Sequence, residues 1–331
     1  MKIMVYEARP DERADLEKQA ALHGVELSVT DAVPTLENAS LAAGCIGVSI
    51  LGQGCIDAAL LDAYHALGIR YLSTRTIGYD HIDLDHARSI GLRVCSASYA
   101  PNGVADFTVM MILMCLRHYK QALWRGQVND FSLTGLQGRE MKDLTIGIIG
   151  TGRIGAQGVR NLSGFGCRIL AYDLRRNPAV EPQVTYVDFD TLLAQSDVIT
   201  LHMPLLDSNR HIINRESVAK MRDGVVIVNC SRGELADIEA LIEGIETGKI
   251  GALGMDTVEG DEGIIHADHR VDILPNRNWF YLHQFRNVIM TQHMAFYTDA
   301  AVSSMVDCGI GGICQMAAGE SCPTELTGPV Q

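Results

Sequence analysis

The chain of 331 residues is about twice the usual length of one domain, so we expect two compact units, each with its own core. Hydrophobic residues make up 47% of the chain and charged residues 20%, and no apolar run approaches the roughly 18 residues of a bilayer span. No signal peptide precedes the first strand. These features together predict a soluble, cytoplasmic protein with no membrane partner. The formal net charge of −13, with no Lys/Arg stripe to offset it, argues against a nucleic acid partner.

Short strand-like runs alternate with helical patterns in the first part of the chain. Residues 11–23 and 57–67 carry apolar side chains at helical spacing. This alternation predicts a parallel sheet covered by helices. The predicted strands are residues 2–6, 25–29, 46–50, 71–74 and 93–95.

A long, largely apolar helix is predicted from residue 103 to about residue 123, and we interpret it as the crossing into a second domain. Beyond it six further strands are predicted, which is the count of a complete dinucleotide-binding fold. The stretch from about residue 297 is predicted to be a helix rich in Ala and Met. Because no strand accompanies it, we expect it to pack against an element that precedes it in the chain. The six strands are residues 145–149, 168–172, 198–201, 225–229, 252–255 and 288–291.

A glycine-rich motif follows the first of these six strands directly. Gly150, Gly152 and Gly155 form a G-x-G-x-x-G pattern between that strand and a helical run, which is the context that gives the pattern meaning. The first glycine permits a tight turn, the second lets the backbone approach a pyrophosphate, and the third lets the helix lie close to the strand. The motif therefore predicts a dinucleotide site.

Asp173 ends the next strand, 18 residues after Gly155, where a carboxylate can accept hydrogen bonds from a ribose diol. The same carboxylate would repel the additional 2′-phosphate of NADP, so NAD is the predicted cofactor. Arg175 and Arg176 lie just beyond and could pair with such a phosphate, which would weaken this preference.

Charged side chains follow three strands at their carboxyl ends, where open α/β sheets bind ligands. Arg232, an acidic loop that begins at Asp256, and His293 form a suitable set for reducing a keto acid. The guanidinium can bind a carboxylate in a fork, and the imidazole can supply the proton that balances a hydride. Each also has a purely structural interpretation: Arg232 as a partner in a surface salt bridge, the acidic loop as a solvated face, and His293 as a loop histidine with its hydrogen bonds satisfied. Spacing alone leaves the catalytic and the structural interpretations open.

The nine cysteines are scattered, mostly within apolar runs, and form no CxxC pair, which predicts buried, reduced thiols. His266 and His269 are close in sequence but lack further ligands at metal-binding spacing. We therefore expect no metal site.

Five segments in order along the chain match one known family: STRTIGYDHID (73–83), YAPN (99–102), GTGRIG (150–155), VNCSRG (228–233) and HMAFYT (293–298). Through them nearly the whole chain resembles the D-2-hydroxyacid dehydrogenase family, most closely its D-lactate dehydrogenase branch, which includes the vancomycin-resistance reductase and the 2-hydroxyisocaproate and 2-hydroxyglutarate enzymes. The resemblance implies a Rossmann NAD-binding domain at residues 102–296 and a discontinuous, flavodoxin-like substrate domain at residues 1–101 plus 297–331, both doubly wound. It also implies a homodimer and a small 2-keto acid or (R)-2-hydroxy acid as substrate.

The resemblance implies a role for individual residues. Arg232 would bind the substrate, and His293 would protonate its carbonyl oxygen. Backbone N–H groups of Ile77 and Gly78 would hold the carboxylate, and Tyr99 would form a wall of the pocket. The implied cofactor contacts are Gly150, Gly152, Arg153, Ile154, Gly155, Asp173, Met203, Pro204, Asn209, Cys230, Ser231, Arg232 and Asp256.

Two residues depart from the family pattern. The orienting carboxylate, a Glu in the family, falls on Asp261, although Glu262 lies next to it, and the residue before His293 is Gln292 instead of Pro. We interpret both as tuning. A shorter carboxylate would support imidazolium less well, so the limb of the pH–rate profile governed by His293 would move to lower pH. Identical profiles for the wild type and Asp261→Glu would refute this hypothesis.

Three alternatives stay open. One is a relative acting on a 3-phosphoglycerate or glyoxylate type of substrate, although the loop at residues 51–54 supplies no arginine for a second acidic group. Another is an NAD-sensing, corepressor-like interaction protein, which would be expected to carry extensions that this chain lacks. The third is an inactive paralogue, which would depend on Asp261 and Gln292.

Overall fold

The computed structural model describes residues 1–274 and 276–328, and the chain divides into two compact units. Unit 1 consists of Met1–Ala100 and Tyr297–Gln331, and unit 2 is the continuous stretch Pro101–Phe296. Each unit is built on one sheet in which every strand pairing is parallel. The predicted fold class, two doubly wound parallel sheets, is confirmed. Strands β1–β12 and helices α1–α11 are numbered along the whole chain.

Unit 1 has a five-stranded sheet in the order β2-β1-β3-β4-β5, the flavodoxin-like order. Its central strand β3 is buried along its whole length, as expected for a parallel strand covered on both faces. The strands are β1 (Lys2–Val5), β2 (Glu26–Val29), β3 (Gly47–Ile50), β4 (Tyr71–Thr74) and β5 (Arg93–Cys95). The helices are α1 (Arg13–His23), α2 (Ala58–Ala66), α3 (Leu84–Ser89) and α11 (Asp299–Ala317).

Helix α11 completes the core of unit 1. It begins where the Thr298 side chain accepts a hydrogen bond from the Ala301 N–H, and it packs on α1, β3 and β4. Its 19 residues are long and apolar enough to cross a membrane by length and composition alone, so the expectation that no apolar segment approaches that length was wrong. Half of the helix is buried inside the protein, because its apolar side serves as core.

Unit 2 has a seven-stranded sheet in the order β12-β11-β10-β9-β6-β7-β8. The six predicted strands are confirmed. A seventh strand, β8, was missed because a strand of two residues at the sheet edge is too short to show the alternation of apolar and polar residues. The strands are β6 (Thr145–Ile149), β7 (Arg168–Tyr172), β8 (Thr185–Tyr186), β9 (Val198–Leu201), β10 (Val225–Asn229), β11 (Ile250–Met255) and β12 (Val288–Met290). The helices are α4 (Asn102–Leu116), α5 (Tyr119–Gln127), α6 (Arg153–Ser163), α7 (Phe189–Gln195), α8 (Arg215–Lys220), α9 (Ile238–Glu246) and α10 (Arg277–Gln284).

The single helix predicted at residues 103–123 is two helices. The chain breaks at His118, whose φ of +50° is left-handed and cannot continue an α-helix. Helix α4 is buried against α6 and β11, whereas no residue of α5 is buried. The break also places the Lys120 ammonium on the carbonyl oxygens of His283, Phe285 and Val288, at 2.7–3.0 Å.

Candidate active site

The glycine motif forms a cradle between β6 and α6. Gly150 has a φ of +94°, which favours glycine, and a Cβ on Gly155 would collide with the carbonyl oxygen of Gly150. Gly152 is the N-cap of α6, has no side chain to bind the first N–H groups of the helix, and has no atom within 4 Å of the position a Cβ would take. The first turn of α6, with Arg153 and Ile154, therefore borders space that fits a pyrophosphate.

Asp173 lies beside this cradle at the end of β7. Its carboxylate accepts hydrogen bonds from the Thr151 N–H at 2.6 Å, the Thr151 hydroxyl at 3.0 Å and the Arg175 N–H at 2.9 Å. Tyr186 of β8 donates to the same Thr151 hydroxyl at 2.9 Å, so the strand that the sequence did not reveal supports this corner. The Arg176 guanidinium lies over the Tyr186 ring, 5.5 Å from its centre. The fixed carboxylate fits a ribose diol and opposes a 2′-phosphate.

The loop after β9 contains the predicted residues Met203, Pro204 and Asn209. Asn209 donates to the Pro204 carbonyl at 2.8 Å and accepts from the Leu206 N–H at 2.8 Å, so this side chain fixes the loop.

His202, which the sequence analysis missed, lies directly beneath the glycine motif. A Cβ on Gly155 would approach the Cβ of His202 to 3.2 Å. Burial lowers the pKa of His202 to about 4, so the ring is neutral at physiological pH. Its Nε2 lies 3.1 Å from the Thr200 hydroxyl, and its buried Nδ1 has no hydrogen-bond partner among the residues described. An orphaned polar atom under the cradle is a further sign of a polar ligand there.

The turn after β10 holds Arg232. The buried Asn229 side chain donates to the Arg232 carbonyl at 2.7 Å and accepts from the Ser231 N–H at 3.0 Å. The Ser231 hydroxyl donates to the Leu201 carbonyl at 2.6 Å, which ties the turn to β9. Burial raises the pKa of the Cys230 thiol, so it stays protonated. The half-buried Arg232 thus projects from a turn with little freedom.

One buried carboxylate fixes the turn that carries His293. Asp256, 1% exposed, accepts hydrogen bonds from the Thr291 hydroxyl at 2.6 Å, the Met294 N–H at 2.9 Å and the Ala295 N–H at 2.8 Å. These contacts enclose His293, whose φ of +52° is left-handed and strained for a residue with a side chain. The predicted contact of Asp256 with the cofactor stays a prediction.

Asp261 is the more enclosed of the two candidate orienting carboxylates. It is half-buried and accepts a hydrogen bond from the Val258 N–H at 3.1 Å, whereas Glu262 is exposed. Burial raises the pKa of Asp261 to about 6, and the negative charges of Glu234, Glu262 and Asp256 act in the same direction. Glu259 is engaged elsewhere, at 2.6 Å from His211. The carboxylate at position 261 can therefore change its charge near neutral pH.

His266 is a second residue that sequence reasoning did not place here. Its Nε2 donates to the His293 carbonyl oxygen at 3.2 Å, and the two ring centres lie 6.1 Å apart. Phe296 lies edge-on to both rings, at 6.4 Å from each. The sequence marked His266 only as a possible metal ligand. Over residues 1–274 and 276–328, no group of three or more His, Cys, Asp or Glu side chains is placed to hold a metal ion.

Unit 1 contains the remaining predicted substrate contacts, Ile77, Gly78 and Tyr99. The Thr76 hydroxyl donates to the Gly78 carbonyl at 2.6 Å and lies 2.6 Å from the Thr74 hydroxyl, which fixes the backbone around Ile77. Tyr99 is half-buried, just after β5. Side-chain hydrogen bonds from within unit 1 thus support the segment at Ile77 and Gly78.

Comparison with known proteins gives a consistent result. Residues 109–295 match the family model described as "D-isomer specific 2-hydroxyacid dehydrogenase, NAD binding domain". The chain is 41% identical to an aromatic 2-oxoacid reductase of Clostridium sporogenes over 93% of each protein. It is 36% identical to the D-lactate dehydrogenase of Escherichia coli, over 98% of this chain and all of that one. The solved pyruvate reductase of Chlamydomonas reinhardtii superposes with a TM-score of 0.89 at 33% identity, over 98% of each chain.

Proposed function

Because the chain belongs to the D-isomer specific 2-hydroxyacid dehydrogenase family, and is therefore an NAD-dependent oxidoreductase of 2-keto and 2-hydroxy acids, we propose that its substrate carries a neutral side chain and that Arg232 and His293 perform the reaction. This activity is favoured over the corepressor-like alternative, because the relatives that match over the full length are named as reductases and dehydrogenases.

The composition and hydrogen bonding of the loop after β3 support a substrate with a neutral side chain. Residues 51–54 contain no cation, and the N–H groups of all four bind the carboxylate of the buried Glu7, three of them at 2.8–3.1 Å and that of Leu51 more closely. The chain's own carboxylate thus uses the anion-binding capacity of this loop. A second acidic group on the substrate would find neither an arginine nor open amides there.

The proposed roles follow from the chemistry of each side chain. NADH, when bound, would supply the hydride for the reduction. His293, in its protonated form, gives its proton to the carbonyl oxygen. Arg232 forks onto the substrate carboxylate, which the N–H groups of Ile77 and Gly78 also bind. Asp261, as the carboxylate, orients the imidazole and stabilises its charge.

The cofactor is proposed to lie with its pyrophosphate on the cradle of Gly150, Gly152 and Gly155 and its adenosine ribose on Asp173. The first turn of α6, the loop containing Met203, Pro204 and Asn209, and the turn of Cys230 and Ser231 complete the proposed contacts. Nine free thiols, five of them buried, suit a reducing compartment, so we place the enzyme in the cytoplasm.

The first experiment measures NADH oxidation with pyruvate, phenylpyruvate, 4-methyl-2-oxopentanoate and 2-oxoglutarate. We expect turnover of the neutral acids and a kcat/KM for 2-oxoglutarate lower by at least about tenfold, since its second carboxylate would be left unpaired. His293→Gln should lower kcat by about 10²–10⁴-fold while NADH binding, followed by fluorescence, persists. Arg232→Gln should lower kcat and also raise KM for the keto acid. A preference for 2-oxoglutarate, or full activity of His293→Gln, would overturn the proposal.

A further inference from the structure

The C-terminal tail beyond α11 forms an additional edge on the sheet of unit 1. Glu325 makes an antiparallel bridge with Cys95 of β5, and its carboxylate binds the Arg93 guanidinium at 2.7 Å. Backbone hydrogen bonds run from the Ser96 N–H to the Thr324 carbonyl at 3.0 Å and from the Leu326 N–H to the Val94 carbonyl at 2.8 Å. The tail is therefore fixed beside the strand that would otherwise be an open edge.

This pairing brings two thiols together over α11. A Cβ on Gly312 would lie 2.7 Å from the Cys95 sulfur and 3.5 Å from the Cys322 sulfur, so the missing side chain leaves room for both. Cys95 is fully buried and Cys322 is 8% exposed, and both neighbours of Cys322, Ser321 and Pro323, are exposed. The pair thus lies just beneath a surface segment of the tail.

The two thiols differ in their tendency to ionise. Interaction with the Cys95 thiol, together with the Thr324 hydroxyl and N–H, lowers the pKa of Cys322 to about 6 against the opposing effect of burial. Contact with Cys322 and burial raise the pKa of Cys95 well above its usual range. At neutral pH the pair accordingly contains one thiolate, the form that attacks an oxidant, and one protonated thiol.

We propose that Cys95 and Cys322 form an oxidation site that takes a hydroperoxide and closes a disulfide between β5 and the C-terminal tail. The Cys322 thiolate attacks a peroxide oxygen, the O–O bond breaks, and the leaving hydroxide takes up a proton to become water. The Cys95 sulfur then attacks the sulfur of the sulfenic acid on Cys322. The S–O bond breaks, and the hydroxide leaves with the Cys95 proton as a second water. Two thiols and one hydrogen peroxide thus yield one disulfide and two waters.

The test treats the full-length protein with hydrogen peroxide and identifies cross-linked peptides by mass spectrometry without reduction. We expect a peptide pair linked through Cys95 and Cys322 in the wild type and in Cys308→Ser, which removes the nearest other thiol of α11. In Cys95→Ser, Cys322 should instead accumulate as a sulfenic acid that dimedone traps. The oxidised wild type should unfold at a higher temperature than the reduced protein, with kcat unchanged.

Alkylation rates give a measurement that does not depend on the variants folding. In the wild type, the rate at which Cys322 reacts with iodoacetamide should rise with a midpoint near pH 6. A peroxide-induced link through Cys308, or a Cys322 whose alkylation midpoint is not lowered from the ordinary thiol value of 9.0, would overturn the proposal.

Discussion

Asp256 shows how one side chain can determine the position of another residue. Its two oxygens accept three hydrogen bonds from the turn around His293, and that turn has a left-handed backbone which few residues would adopt unaided. The sequence predicted both residues at strand ends but not their connection. Hydrogen bonds between a strand end and a turn 35–39 residues later leave no periodic signal in the sequence. His266 was missed for the same reason, because its partner, the His293 carbonyl, lies 27 residues away. His202 lies directly after β9, so its position at a strand end was a signal that could have found it.

Asp256→Asn tests this connection. An amide in place of the carboxylate would present an NH2 group to a backbone N–H, so the His293 turn should shift. We expect kcat to fall by about 10–100-fold with little change in the affinity for NADH, the size of effect seen when a supporting hydrogen bond is lost. An unchanged kcat with a raised Kd for NADH would instead show that Asp256 acts mainly as a cofactor contact.

Asp261→Asn should stabilise the protein in a pH-dependent way. The folded chain holds the Asp261 proton up to about pH 6, whereas the usual pKa is 3.8, so ionisation costs folding free energy. The wild type should therefore lose stability relative to the variant as the pH rises from about 4 to 6, and the difference should be constant above that. Thermal melts between pH 4 and 8 measure it. Glu262→Gln, at the exposed neighbour, is the control, and equal curves for both variants would contradict the expectation.

The sequence predicts a helix or strand correctly where the segment is evenly buried. It fails where contacts with residues far away in the chain determine the local conformation. Strands β3 and β10 are buried along their whole length, and β10 begins with four consecutive apolar residues, VVIV. The break between α4 and α5 could not be predicted, because the carbonyl oxygens that bind Lys120 lie 163–168 residues away. The local pattern alone favours one helix there.

A buried ion pair connects the N-cap residue of α1, Glu12, with Arg75, which directly follows β4. Arg75 and Glu12 are both fully buried, with the Arg75 Nε 2.9 Å from the Glu12 carboxylate, and Arg75 also donates to the Ser49 hydroxyl at 3.2 Å and the Tyr6 carbonyl at 3.0 Å. The pair supports the segment that leads into Ile77 and Gly78.

Glu12→Ala should lower the free energy of unfolding by about 3–5 kcal/mol, since it leaves a buried guanidinium without its counterion. Urea denaturation followed by circular dichroism measures the loss. Glu17→Ala, on an exposed position of α1, should change stability by less than about 0.5 kcal/mol. Similar losses in both variants would show that Arg75 is satisfied by its other partners.

At the scale of the whole molecule, unit 2 exposes three large apolar side chains that lie close together in the sequence. Trp124 of α5 is 65% exposed, and Phe131 and Leu133 in the following segment are 79% and 83% exposed. We propose that a second copy of the chain covers these side chains, which agrees with the homodimer that the family resemblance implies.

Light scattering after size exclusion tests the dimer. The wild type should have twice the chain mass of 36.0 kDa, and the double variant Trp124→Glu with Phe131→Glu should be monomeric at micromolar concentration, because two buried charges would oppose association. Leu22→Glu, an equally exposed apolar position on α1, should leave the mass unchanged. A wild type of 36.0 kDa would refute the proposal.

The discontinuity of unit 1 sets an order on how a newly made chain can fold. One apolar cluster joins Ile3 and Val5 of β1 with Ile310 and Ile313 of α11, so the first strand shares a core with the last helix of the described residues. As the ribosome synthesises the chain, that face of the sheet must wait, uncovered, until the whole of unit 2 and then α11 have emerged. Unit 2 draws on one continuous stretch and faces no such delay. The unit whose synthesis begins first is therefore the unit that finishes folding last.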